Sequence, residues 1–221
     1  MNYVFVRNFA FAVMSSLCVN VHAMTEDADA KNKITGLVVR PATLDDLPAV
    51  YEIDKEVTFE HFLPLMTQHY PQIYGNKTVE EGLNGDLKTD IETFQRCVTV
   101  QENERLHVAY DTEKKCMTGF VLSRKQDHVV NIDLLFVAKE YRRHGAAKKL
   151  FTQAVQAFSG VDQCYFYALD KNKAILDCIQ NLGIECTPVN SGQQTDNDAQ
   201  HPELYKHFSV KIASILAKIK Q

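Results

Sequence analysis

The stretch Asn131–Phe158, NIDLLFVAKEYRRHGAAKKLFTQAVQAF, constrains the fold more than any other part of the chain. In 130–137 the even positions Val130, Ile132, Leu134 and Phe136 are all apolar. Asn131 and Asp133 alternate with them before Leu135 and Val137. That period-two segregation predicts a strand over 129–137 with one wholly buried face. After a short basic turn, Ala147, Leu150, Phe151, Ala154, Val155 and Phe158 recur at the spacing of an amphipathic helix. A buried strand feeding a helix through a tight turn is a unit of a layered α/β domain.

The turn has its own chemistry. Gly145, Ala146 and Ala147 are small enough to let a ligand approach the backbone. The first amides of a helix have no internal acceptor, and the macrodipole adds positive charge there. Strand, small-residue turn and helix N-terminus make an anion site suited to a pyrophosphate. Arg142, Arg143 and His144 add charge at its rim. The same spacing also fits an ordinary connection with solvated basic residues.

Composition bounds the alternatives. The chain has 221 residues, enough for one sizeable core, with 45% hydrophobic and 24% charged residues. A net charge of −4 argues against nucleic acid and stable membrane association, and tolerates a cationic partner such as an amine without implying one. Cys97, Cys116, Cys164, Cys178 and Cys186 follow the N-terminal segment that holds Cys18. Their odd number and loose spacing form neither a disulfide framework nor a metal site. No H-E-x-x-H, P-loop or G-x-S-x-G competes for a function.

Leu37–Arg40 reads as the first strand, ended by Pro41. Thr43 and Asp46 then form a capping box for a helix whose inner face is Leu47, Val50, Tyr51 and Val57. The stretch 58–98 is mostly helical, with Pro64 and Pro71 as interruptions and Gly75, Gly82 and Gly85 as punctuation. A helix is expected over 86–97. Segments 106–110 and 117–124 read as an antiparallel pair, and 164–169 as another buried strand. A helix begins at 170–172 and ends at Gly183. The end of the chain fits either a strand through Leu204, Phe208, Val210 and Ile212 or a helix over 202–219.

Arg142-x-x-Gly145-x-Ala147 resembles the Q/R-x-x-G-x-G/A acetyl-CoA signature of the GNAT acetyltransferases. LLFVAKEYRRHG, VRPATLDDLPAVYEID and DKNKAILDCIQNLGIE resemble three further parts of that family, from about Leu37 to Ile212. The resemblance implies an α/β fold, a mixed twisted sheet of about six to seven strands with helices on both faces. The cofactor would enter where two central parallel strands splay apart.

It implies acetyl-CoA as co-substrate, no metal, and N-acetylation of a small-molecule or peptide amine by direct attack. Leu135, Phe136, Val137, Arg142, Arg143, His144, Gly145, Ala146, Ala147 and Asn172 would hold the cofactor, Asn172 through the pantetheine arm. The stretch 58–98 would overlie the acceptor cleft, although lone His61, His69, Tyr70 and Tyr74 suit core edges better.

The acid–base positions depart from the family. Asn131 stands where a Glu commonly acts as base, eleven residues before Arg142. Asp133 is the best replacement, and His128 the next. Ile179 stands at the usual Tyr acid, with Cys178 beside it and Tyr70, Tyr74 or water as other sources. These departures leave a second reading open, a non-catalytic acyl-CoA-binding or regulatory module.

Residues 1–23 carry Arg7, an apolar run and Val21-His22-Ala23, the pattern of a cleaved signal peptide. Met24 is a rival start, opening a polar lead-in over 24–36 before the domain at 37–221. Acetyl-CoA is cytosolic, so the resemblance favours Met24 and the cytoplasm. The leader pattern favours a periplasmic or secreted protein. Oligomeric state is not readable.

Overall fold

A computed structural model describes residues 36–100, 102–142, 144–169, 171–172, 187–188 and 205–219. The proposed leader and lead-in, the 173–183 helix, Arg143 and Cys178 lie outside the described residues. The described strands are β1 (Leu37–Pro41), β2 (Glu104–Asp111), β3 (Cys116–Gln126), β4 (Val129–Val137), β5 (Gln163–Leu169), β6 (Thr187–Pro188) and β7 (Tyr205–Lys211). They form one sheet in the order β1-β2-β3-β4-β5-β7-β6. Only β4 and β5 pair in parallel; the other neighbours are antiparallel.

α4 (Ala146–Gln156) is the crossover between the parallel strands β4 and β5 and packs on β2, β3 and β4. The other sheet face carries α1 (Leu47–Val57), α2 (Leu63–His69) and α3 (Val79–Thr99). A line of rings joins these layers. Phe94 of α3 meets Phe120 at 5.3 Å, Phe120 meets Phe136 at 5.4 Å, and Phe136 meets Phe62 at 6.0 Å. All four are buried. Such offset and edge contacts add to the burial of apolar area.

α1 and α2 are joined through a π turn, Thr58–Phe62. Its signature bond runs from the Leu63 amide to the Thr58 carbonyl. Pro64 has no N–H to give to the Glu60 carbonyl, and the widened turn accommodates it. The α-helical pattern is thus interrupted just before Pro64, while the chain stays helical through it.

α3 starts earlier than the expected 86–97 and contains Gly82 and Gly85 instead of ending at them. Its start is the capping box Thr78–Glu81. The Glu81 amide donates to Thr78 Oγ1 at 3.1 Å, and the Thr78 amide to Glu81 Oε2 at 2.8 Å. Gly82 is needed for packing, since a Cβ there would stand 2.1 Å from Tyr74 Cγ. At the chain's end both readings hold in part, because strand β7 runs straight into helix α5 (Ile212–Ile219).

One expectation for β4 is corrected. Its nine residues are all buried, so neither face is solvated. A bulge also breaks the alternation: Leu122 pairs with Leu134, and Ser123 with Ile132, leaving Asp133 extra. Val130 and Ile132 thus share a face with Leu135 and Val137, not with Leu134 and Phe136.

His107 of β2 is 3% exposed, and its Nδ1 has no hydrogen-bond partner. Burial, then the charge of Arg105, pushes its imidazole down to about 4. The unfolded chain titrates near 6.5 and so binds more protons between those values. Stability should therefore be lost as pH falls from about 6.5 to about 4, by up to about 3 kcal/mol. Urea unfolding across that range checks this, and His107→Gln should remove that part of the slope.

Candidate functional site

β4 and β5 pair only at Val129–Gln163, Val130–Cys164 and Asn131–Tyr165. Beyond Asn131 the two strands separate, while β4 stays paired with β3 and β5 with β7. A gap opens between them toward their C-terminal ends. The Ala138 amide donates to the Thr118 carbonyl at 2.9 Å. By antiparallel alternation, Phe136 also exchanges its bonds with β3. Leu135 and Val137 therefore turn their peptide groups the other way, into the gap. Phe136 is different: its backbone serves the ladder and its ring lies between Phe62 and Phe120.

After β4 the chain makes a single 3-10 turn, Lys139–Tyr141. Three contacts pin it. The Tyr141 amide donates to the Ala138 carbonyl at 2.9 Å, the Tyr141 hydroxyl meets Cys116 Sγ at 2.9 Å, and Arg142 Nε donates to the Val137 carbonyl at 3.1 Å. Gly145 then caps α4 at φ 84°, a left-handed conformation that favours glycine. No side chain caps this helix among the described residues, and its first turn holds no acidic residue. Ala146 and Ala147 are buried, so the small positions close the helix against the sheet, and their amides, at the start of the helix, have no acceptor within it. His144 lies in the turn, half-buried.

Across the gap, Asn172 follows β5. Its amide donates to the Leu169 carbonyl at 3.0 Å. Its side chain is buried, and Nδ2 has no partner among the described residues. A buried polar atom left open at a cleft suits a ligand contact. The neighbouring Lys171 amide donates to the Tyr70 hydroxyl at 3.2 Å, which brings Tyr70 to the same wall. Tyr74 is elsewhere engaged, its hydroxyl donating to Asp86 at 2.6 Å.

Asn131 and Asp133 stand where the gap opens, both buried. Asp133 Oδ1 accepts from Arg124 Nη2 at 3.1 Å. Arg124 also feels Tyr167 of β5 and Glu104. Glu104 in turn holds Arg96 through two bonds, at 2.9 and 3.1 Å, and accepts from Cys97 Sγ at 3.4 Å. Burial, with Glu104 second, raises the Cys97 thiol and leaves it protonated. His128 is not brought to this place. It lies exposed in the turn before β4, at the end of the strand opposite the mouth. Among the described residues no group of three His, Cys, Asp or Glu side chains could hold a metal, and no helix is long and apolar enough to cross a membrane.

One residue near the site escapes sequence reasoning, and another, His61, is named there only as a core-edge or acceptor-cleft residue. Tyr167 comes to Arg124 through the Asn131–Tyr165 register, which no local pattern reveals. His61 comes from the π turn and is close enough to Arg142 to sense its charge.

The family model for the acetyltransferase (GNAT) family matches residues 62–184, more than half of the chain. The chain belongs to the GNAT acetyltransferase family. Solved structures agree on the GNAT fold. The PaiA N-acetyltransferase of Thermoplasma acidophilum, solved with coenzyme A, is 13% identical, with a TM-score of 0.58 over 79% of this chain and 98% of that one. A GNAT acetyltransferase of Staphylococcus aureus gives 0.56 at 13% identity over 80% and 99%. The spermidine N-acetyltransferase of Vibrio cholerae, solved with coenzyme A and spermine, gives 0.50 at 15% identity over 82% and 99%. No curated protein matches the chain.

Proposed function

We propose that this GNAT domain transfers the acetyl group of acetyl-CoA to a primary amine. The observation that carries the reading is the β4–β5 gap, with uncapped α4 amides at its mouth and the inward peptides of Leu135 and Val137 along its wall. The pyrophosphate would rest on the amides after Gly145 beside Arg142, with Arg143 and His144 at the rim. Asn172 Nδ2 would donate to the pantetheine arm. The Leu135 and Val137 amides would bond the arm and the thioester oxygen as it gains charge.

The amine nitrogen attacks the thioester carbon, the C–S bond breaks, and an amide and a thiolate form as the nitrogen sheds its second proton to solvent. The ammonium first loses a proton to Asp133, directly or through a water. The thiolate takes a proton from Tyr70 at the β5 wall. Both routes keep the chemistry in one ternary complex, with no cysteine nucleophile. The loss of the family's usual Glu and Tyr favours a second reading, an acyl-CoA-binding module without turnover.

Release of free thiol from acetyl-CoA across a panel of polyamines, small amines and peptide N-termini separates the two. Turnover on any acceptor supports the enzyme, and tight binding without turnover supports the module. Asp133→Asn should lower kcat by roughly a hundredfold or more while acetyl-CoA still binds. Arg124→Gln is the control. If Asp133 serves only its ion pair, both variants should lose stability and activity alike.

A further inference from the structure

His61 is the residue that the structure adds to the site. Its Nε2 is buried and has no hydrogen-bond partner among the described residues. A buried polar atom left open in this way needs a structural or functional explanation, and for His61 its place beside the anion loop supplies one. It sits on the π turn, an irregularity that recurs at functional positions in helices. That turn lies directly on the end of β4 and the anion loop. The Lys139 amide donates to Glu56 Oε1 at 3.4 Å, Lys139 Nζ pairs with Glu60 at 3.4 Å, and the next ring, Phe62, packs on Phe136.

We propose that His61 is a cofactor-binding residue, its Nε2 hydrogen-bonding the phosphate-bearing part of coenzyme A together with Arg142. This rests on the acetyl-CoA reading above. The charged and titratable groups of the elements packed here are Tyr51, Glu52, Asp54, Lys55, Glu56, Glu60 and His69 from the helices and π turn and Lys139, Glu140, Tyr141, Arg142 and His144 from the loop. Lys139 is engaged by Glu56 and Glu60. Arg142 is the charge that reaches His61. Burial, then Arg142, lowers its imidazole below the ordinary value. The free protein therefore holds His61 neutral at pH 7. A bound phosphate reverses the local sign: it offsets Arg142 and favours the imidazolium. Cofactor binding should then draw a proton onto His61, and affinity should rise as pH falls toward the ordinary imidazole value of about 6.5.

The test is calorimetric titration of the full chain with dephospho-CoA, which lacks the separately ionising 3′-phosphate, near pH 6.5 in two buffers of different ionisation enthalpy. The wild-type protein should take up a fraction of a proton on binding. His61→Gln, and His61→Phe, should bind roughly tenfold more weakly and take up measurably less than the wild type. An acetylated pantetheine without phosphates should bind all three proteins alike. Unchanged affinity and proton uptake in both folded variants would overturn the role of His61. Failure of the wild type to bind dephospho-CoA at all would instead overturn the acetyl-CoA reading, and this inference with it.

Discussion

Gly145→Asp should abolish coenzyme A binding while the domain stays folded. The residue adopts φ 84°, and a Cβ there would meet nothing within 4 Å. Steric exclusion is thus not the issue. Asp and Asn tolerate the left-handed region better than other side chains, so the strain is about 1 kcal/mol. What changes is charge. The new carboxylate stands at the N-terminus of α4, where it can accept from the same amides that would hold the pyrophosphate. It competes with the ligand for its donors and repels it as well.

A loss of more than roughly a hundredfold in affinity, about 2.8 kcal/mol, is expected. Gly145→Asn carries the same shape without the charge and should lose less than about tenfold. Calorimetry with coenzyme A reads both, and thermal unfolding confirms that both are folded. Equal losses in the two variants would mean that the turn is not an anion site.

The strand, turn and helix that form the proposed anion site were legible because all their parts are neighbours in sequence. The apolar run ends at Val137, the small residues begin at Gly145, and the helical spacing follows at once. β4 itself runs over Val129–Val137 for the same local reason. Its bulge was not legible, since the extra residue at Asp133 exists only relative to the pairing of β3. The consequence reaches the chemistry. Asp133 has no cross-strand partner position and turns to Arg124.

Other differences have the same origin. Gly82 looks like helix punctuation, yet it sits inside α3 because the Tyr74 ring lies over it. Tyr70 and Tyr74 are equivalent candidates in the sequence, and only tertiary contacts separate them, one to Lys171 and one to Asp86. His61 belongs to a segment whose pattern does not distinguish it from His69, and only the position of its turn on the end of β4 motivates the role proposed for it. Local sequence builds the turn proposed as the cradle, and long-range register chooses the side chains around it.

Gly119 shows how tightly that register is held, and Gly119→Ala should damage stability and cofactor binding together. Gly119 follows an extra residue in β3, since Ala109 pairs with Gly119 and Tyr110 with Met117. A Cβ at Gly119 would stand 2.4 Å from the Phe136 carbonyl oxygen and 3.1 Å from Val137 Cα. Both atoms are backbone, so no rotamer change relieves the clash and β4 itself must move. A β-strand gains less than about 1 kcal/mol from replacing Gly by Ala. Overpacking costs about 1–3 kcal/mol where side chains can yield, and here they cannot. A net loss near the top of that range lowers Tm by about 6–10 °C in a domain of this size.

The displaced atoms are those that turn the Val137 peptide into the gap and offer its carbonyl to Arg142. Coenzyme A affinity should therefore fall with stability, even though Gly119 is proposed to touch no ligand. Gly85→Ala is the contrast. Its Cβ would meet nothing within 4 Å, and it lies inside α3. Helix propensity alone applies there, so this variant should gain about 1 kcal/mol and leave binding unchanged. If Gly119→Ala instead proves as stable as the wild type, β3 and β4 can separate without cost, and the gap is not the rigid frame that positions the cofactor.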